Sequence, residues 1–242
     1  MYTILKKEIR SFLSSLIAYV VIMVFLIAIG LFMWVLPEYN IFDMGYANMD
    51  TLFGMAPWVF IFLISAITMR SFSEEKKSGT IEILTTKPLT DTQIILGKYF
   101  AGVVLVLFAL IPTLLYFYTV YQLGAPKGNI DIGATWGSYI GLFFLASSFV
   151  AIGIFASVIT DNQIVSFIVG MFLCFCFYAL FDMFANFNLL GTYDNVVASL
   201  GIKAHYDSMS RGVLDSRDLL YFLSIITAFL WSTKTVFGSR KW

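Results

Sequence analysis

Apolar residues in this chain fall into six long runs separated by polar breaks, and that pattern sets the elements to expect. Residues 16–36, 52–69, 99–121, 135–159, 164–184 and 219–236 are almost wholly apolar. Each is close to the ~20 residues that an α-helix needs to cross a hydrocarbon core. Residues 2–16 follow a different rule. At the helical period Leu5, Ile9, Phe12, Leu13 and Leu16 share one stripe, with Lys6, Lys7, Arg10 and Ser14 opposite. That is the pattern of a helix resting in a membrane interface. Pro57 falls in the first turns of the second run, where a missing N–H costs least. In the fourth run Gly137 with Gly141, and Gly153 with Ser157, form small-xxx-small pairs that predict close helix packing.

The breaks differ in character. Residues 37–50 and 124–129 read as loops and 160–163 as a tight turn. Residues 186–217 are broken by Gly191, Gly201 and Gly212, yet Leu189, Val196, Val197 and Leu200 suit short interfacial helices. Residues 70–98 form the one long polar interruption. They hold five of the 15 basic residues (Arg70, Lys76, Lys77, Lys87, Lys98) and four of the 15 acidic ones (Glu74, Glu75, Glu82, Asp91). Ser71 with Glu74 fits a capping box that opens a short helix through Lys77, Gly79 breaks or bends it, and Pro88 stops it. Ile81 and Leu84 share a face that suits lipid or neighbouring spans. Thr90 with Gln93 fits a second capping box, opening the third span. A short rigid helix presenting Glu74, Glu75 and Glu82 suits a knob for another protein's socket.

Composition narrows the class. The chain is 60% hydrophobic and 12% charged, with mean hydropathy +0.86, whereas soluble domains carry about 25% charged residues. So few charges could not cover a soluble surface. The expected fold is therefore all-α: one polytopic membrane domain over residues 1–242, with six transmembrane helices and no soluble domain attached. The first run is too long for a signal peptide and lacks a small-residue cleavage site. With the N-terminus inside, eleven of the 15 Lys and Arg fall on the cytoplasmic side. Only Lys127, Lys203, Arg211 and Arg217 fall outside. That bias predicts both termini and residues 70–98 in the cytoplasm.

Candidate chemistry is sparse. No ionisable residue sits in the central part of any run, which argues against a proton-coupled pump. Asp182 lies near the outer end of the fifth run and reads as an interfacial carboxylate. His205 has no second His to share a metal. Cys174 and Cys176, two apart in an apolar run, read as small hydrophobes. Gly97-Lys98 is followed by Tyr99, and the earlier glycine of a phosphate loop is missing, so no nucleotide site is expected. Neither an enzyme nor nucleic-acid binding is implied. The cofactor expectation is none in this chain.

On these residues the chain resembles the type-2 ABC transporter permeases. The string RSFSEEKKSGTIEILTTKPL, with ILGKY after it, is similar to the signature of that family's first cytoplasmic loop. Glu75, Gly79, Thr80, Glu82, Leu84 and Pro88 match the motif, as do Gly97 and Lys98. The resemblance implies a coupling helix that inserts into an ATP-binding subunit, with ATP bound by that partner. It also implies that residues 1–15 form an elbow helix and that a second permease half, a copy or a related subunit, completes the transporter in the lipid membrane. Residues 206–221 also resemble the stretch before the family's last span. Within the family the chain is similar to the gliding-motility-associated permeases of Bacteroidota. The alternative is a non-transporting membrane anchor of a motility or secretion machine.

Overall fold

The computed structural model describes residues 1–86, 88–187, 191 and 194–239, which form helices and no strand. Lys87, Leu189, Arg240 and Lys241 lie outside the described residues. Helix α1 (Tyr2–Leu13) leads into α2 (Leu16–Trp34) through a 70° bend. A single turn, α3 (Ile41–Met44), precedes α4 (Asp50–Thr68). Two short helices follow, α5 (Ser73–Lys77) and α6 (Thr80–Thr85). Helix α7 (Asp91–Leu110) runs through a 3-10 turn at Ile111–Thr113, which contains Pro112, into α8 (Leu114–Leu123). After α9 (Ile132–Ile159) comes α10 (Gln163–Phe175), which passes through a π-helical turn at Cys176–Leu180 into α11 (Phe181–Asn186). The segment before the last span holds α12 (Asp194–Ser199) and α13 (Ile202–Met209), and α14 (Ser216–Ser239) completes the described chain.

Among the described residues, the stretches built on α4, α7–α8, α9, α10–α11 and α14 are long and apolar enough to cross a membrane. The bent pair α1–α2 brings the number to six when counted as one span. The chain is a multi-pass, all-α membrane protein. Its centre is α9, which packs against α4, α7, α10, α13 and α14. The reason lies in its small residues, which let neighbouring backbones approach. A Cβ on Gly141 would stand 2.6 Å from the Met209 Cβ, and one on Gly137 would stand 2.8 Å from the Gly212 Cα. One on Gly153 would stand 2.1 Å from the Thr68 Oγ1. The two pairs thus face different neighbours: Gly137 and Gly141 meet α13 and the turn after it, while Gly153 meets the end of α4.

Local side-chain caps fix the starts of α7, α9 and α10. The Thr90 side chain accepts the Gln93 N–H at 3.3 Å and Gln93 Oε1 accepts the Thr90 N–H at 3.2 Å, a complete capping box. It starts the third span at Asp91, eight residues before the apolar run. Asp131 caps α9 by accepting the Ala134 N–H at 2.9 Å, and Asn162 caps α10 by accepting the Ile164 N–H at 2.9 Å.

Pro57 does not lie in a first turn. Helix α4 begins at Asp50, so Pro57 is interior and buried, and it cannot donate to the carbonyl four residues back. That carbonyl belongs to Phe53, and the fully buried Tyr206 of α13 donates its hydroxyl to it at 2.7 Å. The segment that holds α13 is therefore more than interfacial: Ile202, Tyr206 and Met209 are core residues. His205 ties α13 to its neighbours. Its Nδ1 lies 2.7 Å from Asp218 Oδ1, its Nε2 lies 3.0 Å from the Ser199 carbonyl, and its ring stacks on Tyr221. Asp182 pairs with Lys203 at 2.7 Å.

Candidate functional site

The polar residues of α5 and α6 divide into two sets by the faces of these short helices. Glu74, Lys77, Ser78, Gly79, Thr80 and Glu82 are exposed. Phe72 and Ser73 are buried, and the Glu75 side chain is only 12% exposed. Between α5 and α6, Gly79 adopts φ +70°, a left-handed conformation that favours glycine. Helix α6 presses Ile81 and Leu84 against the core, and the exposed Pro88 follows its end.

The inward set meets a buried cation. Lys98, on α7, has a side chain only 1% exposed. Its Nζ lies 2.9 Å from Glu8 Oε1 on α1 and 3.0 Å from Glu75 Oε2 on α5. It also donates to the Ser71 carbonyl at 2.5 Å and stands 5.0 Å over the Phe72 ring. Lys7 closes the array, 2.8 Å from Glu75 Oε1 and 3.5 Å from Glu8 Oε1. Two ammonium groups and two carboxylates thus alternate across α1, α5 and α7. Burying a charge is tolerated only when it is paired and hydrogen-bonded, and Lys98 meets both conditions through partners on two other helices. Glu75, read above as part of an outward knob, is turned inward because Lys98 and Lys7 hold it there.

A neighbouring cavity of about 320 Å³ lies against this array, lined by Lys7, Glu8, Arg70, Glu74, Glu75 and Lys98 among others. Gly97 explains how α1 comes so near. A Cβ there would stand 3.0 Å from Ile4 and 3.3 Å from the Met1 carbonyl, so any larger residue would have to push α1 outward. The amphipathic stripe is also rotated from expectation. Ile4 is its buried anchor, with Phe12 and Leu13 packed behind it, while Leu16 belongs to α2 and is 79% exposed.

The start of α5 is capped from another helix. Ser71 does not act as its cap: the residue before α5 is Phe72, which makes no side-chain cap bond. Instead Ser157 of α9 accepts the Phe72 N–H at 2.9 Å and the Ser73 N–H at 3.1 Å, and donates to the Met69 carbonyl at 3.1 Å. Ser157 was read from the sequence as a packing residue. It sits where Gly153, one turn earlier, lets α9 close on Thr68. Lys76 adds an ion pair at 3.5 Å to Asp161, in the turn after α9. Sequence reading missed Lys7, Glu8 and the capping role of Ser157. The basic and acidic residues of α1 gave a signal for the first two. Nothing local marked the third.

A short helix with an exposed polar face is tied by buried ion pairs to α1 and α7 and by backbone caps to α9. Among the described residues no group of three or more His, Cys, Asp or Glu side chains gathers as a metal site. Residues 36–199 of the chain match the profile of the family described as "ABC-2 family transporter protein". No curated protein shows a significant match to the chain.

Proposed function

The chain belongs to the ABC-2 family of transporter proteins, and from that premise we propose how this membrane permease subunit is driven and what it serves. A separate ATP-binding subunit docks on the exposed face of α5 and α6, using Glu74, Gly79, Thr80 and Glu82 with the exposed Pro88 at its edge, while Leu84, packed inward, backs that face. ATP is bound by that partner. Helices α1, α5 and α6 lie on the cytoplasmic side of the inner membrane, with both termini. A second permease half, a copy or a related subunit, completes the translocation path. The transporter is an exporter associated with gliding motility, as the similarity of the central and last-loop sequences suggests.

One observation carries this reading: the exposed face of α5 and the buried Lys98 array are two sides of the same turn. A docked partner can shift the bundle only through contacts that differ between its nucleotide states. Any displacement of α5 must carry or break the Glu75–Lys98 and Ser157 contacts, so it reaches α1, α7 and α9 together. Glu75 acts here as the inner anchor of the helix and not as a docking contact.

The test is co-purification with the ATP-binding subunit. Glu74→Lys with Glu82→Lys is expected to lower the recovered ATPase at least tenfold with membrane insertion unchanged. Recovery at wild-type yield would refute the docking face. In reconstituted complexes substrate-stimulated ATP hydrolysis is expected. Restoration of gliding by a permease paired with a hydrolysis-dead ATPase would support the anchor role instead.

A further inference from the structure

A second cavity, of about 650 Å³, opens between α7 and α14 on the flank of the bundle. Its walls follow from helical spacing. Thr92, Ile95 and Leu96 supply one side, and Thr227, Leu230, Trp231, Lys234, Thr235 and Gly238 form a stripe at i, i+3, i+4, i+7, i+8 and i+11 on the other. Gly238 adds no bulk, since a Cβ there would meet nothing within 4 Å. The apolar walls are Ile95, Leu96, Leu230 and Trp231. The one charged group is Lys234, which is exposed and makes no ion pair with another described residue.

Position decides what chemistry fits. Thr92 is the second residue of α7, so the cavity lies at the end of the span where the polar segment gives way to apolar helix. An apolar groove there faces acyl chains, and a lysine stem lying along it carries its ammonium toward the headgroups. We propose that this groove binds one anionic phospholipid, its acyl chain against Ile95, Leu96, Leu230 and Trp231 and its phosphate on Lys234. The charge complementarity is what selects a lipid over a second copy of the chain, whose α7–α14 flank would bring Lys234 against Lys234. The site adjoins the Lys98 array described above: Lys98 of α7 and Phe237 of α14 both contact Phe72, at 5.0 and 5.1 Å. The proposal rests on the membrane-spanning fold and not on ATPase docking.

Native mass spectrometry of the full chain tests it, after titration with phosphatidylglycerol or phosphatidylcholine of identical acyl chains. A basic residue near the bilayer surface favours anionic lipid by about fivefold, so wild type is expected to retain phosphatidylglycerol about fivefold over phosphatidylcholine. Lys234→Gln is expected to abolish that preference, Lys234→Arg to keep it, and Leu230→Trp, which fills the groove, to lower retention of both lipids. Lys127→Gln, a cation in a distant loop, should change nothing. The proposal is overturned if the preference survives Lys234→Gln. It is equally overturned if Leu96→Cys chains, in a Cys174→Ala, Cys176→Ala background, cross-link to one another in membranes, because a second copy then fills the groove.

Discussion

Replacing Glu75 by Gln should destabilise the protein far more than the same change one residue earlier. Lys98 is buried and has two carboxylate partners, Glu8 at 2.9 Å and Glu75 at 3.0 Å. At 3.0 Å and an effective dielectric constant of 20, the gross attraction between unit charges is about 5.5 kcal/mol. Breaking a buried pair by removing one partner costs about 3–5 kcal/mol. Here the remaining Glu8, the Ser71 carbonyl and the amide oxygen of the new Gln still serve the ammonium, so the cost falls at or just below the floor of that range, about 2–3 kcal/mol. For a chain of this size each kcal/mol moves Tm by roughly 2–4 °C, which gives a fall of about 4–12 °C. The assay is thermal unfolding of the detergent-solubilised chain, with Glu74→Gln as control. Glu74 is exposed, and its variant should stay within about 0.5 kcal/mol of wild type. A cycle with Lys98→Met should show a coupling of at least about 1 kcal/mol between positions 75 and 98. Equal Tm values for Glu75→Gln and Glu74→Gln would refute the reasoning, because Glu75 would then be solvated rather than held by Lys98.

Ser157→Ala removes the acceptor shared by the Phe72 and Ser73 N–H groups and leaves buried donors unpaired, at about 1–3 kcal/mol each. A lower Tm and faster amide exchange at residues 72 and 73 are expected, and unchanged exchange there would sink the idea of a cap supplied by α9. Tyr206→Phe should cost about 1–3 kcal/mol by orphaning the Phe53 carbonyl. Pro57→Ala restores an N–H to that carbonyl, so the penalty of Tyr206→Phe should shrink in its presence, and strict additivity of the two changes would contradict the account. Burial, with Asp182 adding to it, raises the Asp207 pKa above its ordinary value of 3.8, against the pull of Lys203 and Arg211. The folded state therefore binds that proton more tightly than the unfolded state, and ionised Asp207 lowers stability above its folded pKa. Asp207→Asn should raise Tm at pH 7 and lose that advantage as pH falls toward 3.8, and a gain independent of pH would exclude titration of this carboxyl as its source.

Much of this protein is written in its linear pattern. Runs of ~20 apolar residues can only be membrane-spanning helices, since lipid offers no partner for an unpaired backbone group. Local signals, which need only residues three or four apart, were equally legible: the Thr90–Gln93 box, the break at Gly79 and the turn at 160–163. What the sequence could not say is which helix meets which. The outward assignment of Glu75 failed because its direction is set by Lys98 and Lys7, 23 and 68 residues away. Ser71 looked like the cap of α5, but the Phe72 and Ser73 N–H groups at its start are taken by Ser157, 85 and 84 residues on. Pro57 marked a gap in the backbone ladder of α4, yet nothing near it in sequence named Tyr206 as the group that fills it. In each case a buried charge or backbone group had to find a partner, and only the packing of α1, α7, α9 and α13 around it decided which one.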